Sequence, residues 1–238
     1  MDEALSYESR LAPALAEVRQ GIERACERVG RDPKEVRIVA VTKGHGEGAI
    51  EAALAAGLRD LGENRIGALG ERVPRFADHG ELRWHMVGHL QSRKAPQVHG
   101  LVRLLHSLDS LRLGERLDRS RPDAADPLPV LVQVNTSGEE AKYGFTPDAF
   151  RRELPELLAL GGLRIEGLMT MAPFTADEGV VRTTFRRLKE LHEEALQGDS
   201  GYAGRELSMG MSNDWEIAVE EGSTLLRLGT VLFGERPE

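Results

Sequence analysis

The sequence predicts an α/β protein folded as a single (β/α)8 barrel, a TIM barrel, preceded by one N-terminal helix. Three observations lead there. Short β-type runs alternate with helical segments from residue 36 onward, which implies parallel strands joined by crossover helices. Eight such runs can be counted, and eight units in about 200 residues fit a closed barrel better than an open doubly wound sheet. No G-x-G-x-x-G follows the first run: Gly44-His45-Gly46-Glu47-Gly48 has the wrong spacing for a dinucleotide fingerprint and no Walker lysine. With 238 residues, 40% hydrophobic and 29% charged, one domain over residues 1–238 is expected.

Each element has its own signal. Leu11, Leu15, Val18, Ile22, Cys26 and Val29 recur at steps of three and four, a helix with one buried stripe that ends near Gly30, with Pro33 beyond. The strand runs are 36–42, 59–62, 82–88, 102–108, 129–134, 163–169, 206–209 and 224–229. The first and fifth are almost continuously apolar, as strands covered on both faces are, and too short to be buried helices. Between them, 47–56, 66–76, 111–119, 147–160 and 178–196 are rich in Ala, Leu, Glu and Arg and read as helices. Loops are expected at 121–128 and 198–205, where Gly, Pro, Asp and Ser gather.

Composition narrows the function classes. One cysteine, Cys26, makes neither an internal disulfide nor a thiolate cage, and points to a reducing, cytoplasmic home. The start Met1-Asp2-Glu3 lacks a signal-peptide pattern and no run of 18 apolar residues occurs, so no secretion and no membrane partner are expected. A net charge of −8 without a long basic cluster argues against a nucleic-acid partner.

In a barrel the active site forms where the strands end. The first strand ends in Thr42-Lys43, and an ammonium at the end of an apolar strand is desolvated, the condition for an amine that forms Schiff bases. A lysine snorkelling to solvent is the plainer alternative, but the chain has only five lysines against 26 arginines. The seventh strand runs into Ser208-Met209-Gly210-Met211-Ser212, followed by a helix with Ser212 or Asn213 near its N-cap; the eighth ends in Arg227-Leu228-Gly229-Thr230. Either turn alone reads as an ordinary cap, yet the loops after strands seven and eight are the customary phosphate site of barrels. Together they predict a phosphate-bearing ligand.

These residues resemble the YggS/PROSC family of pyridoxal 5′-phosphate homeostasis proteins. The resemblance runs from about Val36 to Gly234 and rests on Ala40-Val41-Thr42-Lys43, Gly62-Glu63-Asn64, Trp84-His85-Met86-Val87-Gly88-His89-Leu90-Gln91, Gly167-Leu168-Met169-Thr170-Met171-Ala172-Pro173, Leu207 through Trp215, and Arg227-Leu228-Gly229-Thr230. It implies a barrel like the N-terminal domain of alanine racemase and pyridoxal 5′-phosphate as cofactor, held by Lys43 as an internal aldimine. It further implies phosphate contacts from Ser212, Gly229 and Thr230 with backbone at Gly210 and Met211, Arg227 at the pyridine nitrogen, and Asn64 beside the ring. His85 is a further pocket candidate, although a histidine on an apolar strand is more often packed core. Three positions depart from the family's habit: Gly44-His45-Gly46 stands where Thr and then Pro are common, Arg65-Ile66 where an aromatic residue is usual, and Arg93 where Asn is common. They bear on the pocket mouth.

An arginine at the pyridine nitrogen keeps that nitrogen unprotonated and weakens the ring as an electron sink. The racemase's second, β-rich domain, which supplies its opposing tyrosine, is expected to be absent. Of Tyr7, Tyr143 and Tyr202, none sits at a strand end; Tyr143 reads as a surface-loop residue, and Lys142 beside it as a solvated lysine or a second amine near the site. The expectation is therefore a monomeric carrier that buffers pyridoxal phosphate or passes it to pyridoxal-phosphate-dependent apoenzymes, contributing to vitamin B6 homeostasis. The alternative is a pyridoxal-phosphate enzyme such as a weak amino-acid racemase. A metal- or sugar-phosphate barrel enzyme is disfavoured, since His45, His85, His89, Glu47, Glu63 and Asp214 show no ligand spacing.

Overall fold

The computed structural model describes residues 3–139 and 143–236. Helix α1 (Glu3–Val29) precedes eight parallel strands: β1 (Arg37–Val41), β2 (Asp60–Glu63), β3 (Arg83–Met86), β4 (Leu104–Leu108), β5 (Leu128–Gln133), β6 (Leu163–Met169), β7 (Glu206–Ser208) and β8 (Leu225–Leu228). They pair in sequence order, and β8 closes on β1 with Arg37 opposite Leu225 and Ala40 opposite Leu228, so the sheet is a closed barrel. The helices between strands are α2 (Glu47–Ala55), α3 (Ile66–Arg75), α4 (Leu111–Arg119), α5 (Pro147–Leu158), α6 (Glu178–Gln197) and α7 (Trp215–Glu220), with the short α8 (Thr230–Phe233) last. Side-chain caps start several of them: Ser110 Oγ accepts from Leu113 N–H, Thr146 Oγ1 from Ala149 N–H, and Asp177 Oδ1 from Gly179 N–H.

Two elements depart from expectation. Between β3 and β4 the crossover is a 3-10 helix, Ser92–Val98, because Pro96 removes the N–H an α-helix needs there. Helix α8 was not anticipated, since four residues are too few for a periodic signal.

The core has two layers. Between helices and sheet lies the larger one, into which α1 contributes Leu11, Leu15, Val18, Ile22 and Cys26. Val29, expected in that stripe, is 44% exposed. The helix stops at Gly30, whose φ of +69° turns the chain. Inside the barrel Val39, Leu104, Leu131, Met169 and Leu225 form an apolar plug, with Val87 and Met171 packed against it. Strand residues alternate between the layers, so on β1 Val39 and Val41 face inward and Lys43, two further on, reaches the barrel's carboxyl end. Among the described residues no helix is long and apolar enough to cross a membrane.

Candidate functional site

A cleft of about 560 Å³ opens at the carboxyl ends of the strands, within the range that small-molecule sites occupy. A second depression of about 370 Å³ lies at the opposite end around Arg37, Asp60 and Arg83. Three of its arginines are already matched, Arg37 with Glu206, Arg83 with Asp60 and Arg59 with Glu81. The cleft is different in kind. Lys43, half-buried in its wall, makes no hydrogen bond or ion pair among the described residues. Burial pulls its ammonium below the ordinary lysine value, the charges of Arg236 and Arg227 push the same way, and only Glu63 opposes them.

The backbone carrying Lys43 is pinned from both sides. Thr42 Oγ1 donates to Glu63 Oε1 at 2.6 Å, and Arg72 binds the same carboxylate oxygen. The Arg72 guanidinium also donates to Thr42 O at 3.3 Å and to His45 O at 2.5 Å, spanning the lysine. Burial pushes the Glu63 carboxyl up, against the hydrogen bond from Thr42 and the charge of Arg72. His45 in turn meets Tyr7 of α1, its Nδ1 3.0 Å from the phenol oxygen. Gly44 explains one departure from the family pattern: its φ is +79°, and a Cβ there would lie 2.8 Å from Cδ of Arg236. The glycine lets Arg236 cross the chain beside Lys43 and join the cleft lining.

The turns after β7 and β8 meet. Ser212 Oγ lies 3.3 Å from Gly229 N and 3.2 Å from Val231 N, accepting from both free N–H groups where β8 passes into α8. Ser212, Gly229, Thr230, Met211 and Asn64 all line the cleft. Met211 enters it with its N–H already given to Asp214 Oδ1 at 2.5 Å. Gly210 does not line it: at φ +93° it packs against Ala218 and Leu226 and shapes the turn. Arg227 lines the floor, 5% exposed, with Nη1 2.6 Å from Ser208 Oγ and Nη2 2.9 Å from Thr170 O. Burial pulls its pKa down to about 10, still well above neutrality.

His85 is not part of the cleft. It has the inward parity, but it lies one inward position below Val87, and its ring bonds His106 and Asp60 within the barrel. Tyr143 is 59% exposed, as a loop residue should be, yet it also lines the cleft mouth, stacked on His89 with ring centroids 4.2 Å apart. Lys142 lies outside the described residues. His45, in a segment already marked as bearing on the pocket mouth, lines it; Arg72 and Arg236 escaped the sequence reading because each reaches the site from a helix or a loop with no strand-end position to mark it. Among the described residues no group of three His, Cys, Asp or Glu is placed to hold a metal ion.

The model for "Alanine racemase, N-terminal domain" matches residues 14–237. A pyridoxal phosphate homeostasis protein of Pseudomonas aeruginosa is 39% identical, over 96% of either chain, and one of Aquifex aeolicus is 37% identical over 93% of this chain and 96% of its own. Among solved structures, PipY of Synechococcus elongatus with PLP bound superposes with a TM-score of 0.79 at 36% identity, covering 90% of this chain and 100% of its own. The chain thus belongs to the alanine racemase N-terminal domain family and, within it, to the pyridoxal phosphate homeostasis proteins.

Proposed function

We propose that the cleft binds pyridoxal 5′-phosphate and that the protein is a cytoplasmic carrier of it, a monomer over residues 1–238, acting in vitamin B6 homeostasis without turnover of its own. The observation that carries this reading is Lys43: an amine with no partner among the described residues, depressed in basicity, set in the cleft that also holds the Ser212–Gly229 turn. The neutral amine is the form that condenses with an aldehyde. The residues fit such a ligand at three of its four polar groups. Lys43 takes the aldehyde, Ser212, Gly229 and Thr230 take the phosphate, and Arg227 faces the ring nitrogen with Asn64 beside the ring; the Met211 N–H, held by Asp214, is not available to it. PipY, with PLP bound, and the homeostasis proteins of Pseudomonas aeruginosa and Aquifex aeolicus support the choice of ligand.

When bound, pyridoxal phosphate supplies an electrophilic carbonyl carbon and an electron-withdrawing ring. The chain's own residues restrain that reactivity. Arg227, charged at neutral pH, keeps a proton off the ring nitrogen, so carbanion chemistry is weak and holding the aldehyde outweighs using it. Apoenzymes dependent on the cofactor are the partners that such a carrier serves. A second reading, slow amino-acid racemisation, draws on Tyr143 and His89, which stand together at the cleft mouth.

Adding pyridoxal phosphate to the ligand-free protein should produce a visible absorption band, and borohydride followed by peptide mapping should place the label on Lys43. Label scattered over surface lysines would overturn the reading. Multiple turnovers of an L-amino acid to its D-isomer would replace the carrier with an enzyme.

A further inference from the structure

Beneath the cleft an unbroken line of buried side chains runs through the barrel. Arg227 Nη1 donates to Ser208 Oγ at 2.6 Å; Ser208 Oγ is 2.8 Å from His106 Nδ1; His106 Nε2 is 2.9 Å from His85 Nδ1; His85 Nε2 is 2.9 Å from Asp60 Oδ1. The five residues come from five strands, β8, β7, β4, β3 and β2, and none is more than 5% exposed. Barrel interiors are ordinarily filled by branched apolar side chains, and each buried polar atom must be matched or it costs stability. A polar line here, beside a plug of five apolar residues, calls for a role that packing alone does not give.

Its direction is set by the end that cannot donate. The Asp60 carboxylate accepts from Arg83, Nε to Oδ1 at 2.8 Å and Nη2 to Oδ2 at 2.6 Å, and is held ionised: burial opposes it, but the hydrogen bonds from Arg83 and His85 outweigh burial. His85 must therefore present an N–H at Nε2. Burial keeps both imidazoles neutral, so each carries one proton. With its proton on Nε2, His85 accepts at Nδ1 from His106 Nε2–H. His106 then accepts at Nδ1 from the Ser208 hydroxyl. Having spent its only hydrogen, Ser208 offers lone pairs to Arg227. Every bond points from guanidinium to carboxylate, an arrangement in which each strengthens the next.

We propose that Asp60, His85 and His106 are positioning residues for the ligand site: Asp60 sets the tautomers of both histidines, so that Ser208 always accepts from Arg227 and the guanidinium is held in one orientation with its remaining N–H groups turned to the ring nitrogen. Thr170 O anchors the second nitrogen at 2.9 Å. With both tautomers reversed, His106 Nδ1–H would donate to Ser208 Oγ and compete with Arg227 for its lone pairs, leaving the Ser208 hydrogen without its acceptor and the guanidinium less firmly held. The proposal rests on the reading of the cleft as a pyridoxal phosphate site.

The test compares pyridoxal 5′-phosphate with its 1-deaza analogue, in which C–H replaces the ring nitrogen, on the wild-type chain, His106→Phe and Asp60→Ala. Wild type should prefer the parent ligand by about tenfold or more, as one charge-assisted hydrogen bond allows. The variants should cut that preference to about twofold while changing affinity for the deaza analogue little. Equal weakening of both ligands, or an unchanged preference, overturns the proposal. A wild-type chain that binds both equally overturns it too, while leaving pyridoxal phosphate binding intact; one that binds neither overturns the functional reading first. Independently of ligand and variants, 15N shifts of the imidazoles in the ligand-free wild type should show His85 and His106 both as Nε2–H tautomers. An Nδ1–H tautomer at either residue refutes the direction of the chain.

Discussion

The two ends of the barrel carry similar charges and treat them in opposite ways. At the amino-terminal end Arg37, Arg59, Arg83 and Arg103 each face a carboxylate, on Glu206, Glu81, Asp60 and Glu166. At the carboxyl end neither Lys43 nor Arg236 has a carboxylate or hydrogen-bond partner among the described residues, and Arg227 is satisfied only by a hydroxyl and a carbonyl. Where charge serves the fold it is neutralised within the chain. Where it is left over in the cleft, the anionic ligand of the proposed function is the counter-charge that fits.

The sharpest way to break this contrast is Lys43→Ala. Binding of pyridoxal phosphate should weaken at least tenfold, about 1.4 kcal/mol, and the borohydride-trapped label should disappear. Retained labelling elsewhere in the cleft would mean the free cation is not the anchor.

Next comes pH. Since the folded environment lowers the Lys43 pKa, its neutral form accumulates at a lower pH than for an ordinary lysine. The rate of labelling by pyridoxal phosphate should rise with pH and level off below pH 10.5, the ordinary value. For stability the sign is the same. The unfolded chain binds more protons at this position between the folded and unfolded values, so the position's contribution improves as pH rises across that window. A labelling rate still climbing beyond the ordinary value would show that the cleft does not depress this amine.

Smaller again is Gly44→Ala, which forces a side chain into φ +79° and into Cδ of Arg236. Thermal unfolding should show a loss of about 1 kcal/mol, with ligand affinity falling as Arg236 is displaced; unchanged affinity would remove Arg236 from the site. The smallest effect should come from Arg37→Ala at the matched end. Its ion pair with Glu206 is half exposed on the arginine side, and such pairs contribute about 0–1 kcal/mol. Ligand binding should not change; a loss of affinity would dissolve the distinction between the two ends.

Much of the barrel was legible because burial leaves its mark locally. The β5 run Pro129-Val130-Leu131-Val132-Gln133-Val134 is apolar at successive positions since both faces are covered, and its observed span, Leu128–Gln133, differs by one residue at each end. Strand-end logic likewise reached Lys43, Ser212, Arg227 and Gly229, and the family resemblance Asn64, which all line the cleft. For His85 the packed-core alternative holds: it faces inward but below Val87 and outside the cleft, and a period of two tells which way a side chain faces and nothing of its depth along the barrel. Arg72 was invisible for another reason. On α3 it is one arginine among the charged residues of an amphipathic helix, and only folding brings its guanidinium over Thr42, Glu63 and His45.

By itself the sequence determined the alternation of strands and helices, the buried stripe of α1 from Leu11 to Cys26, and the chemistry at each strand end, since these depend on residue type and short-range periodicity. Only the tertiary structure decided which charges would be matched. Asp60 and Arg83 are 23 positions apart and Arg227 and Ser208 are 19 apart, and the parallel pairing of β2 with β3 and of β7 with β8 sets the two contacts. The same pairing left Lys43 without an ion-pair partner among the described residues, because partnership in space is settled by strand register and not by any spacing along the chain.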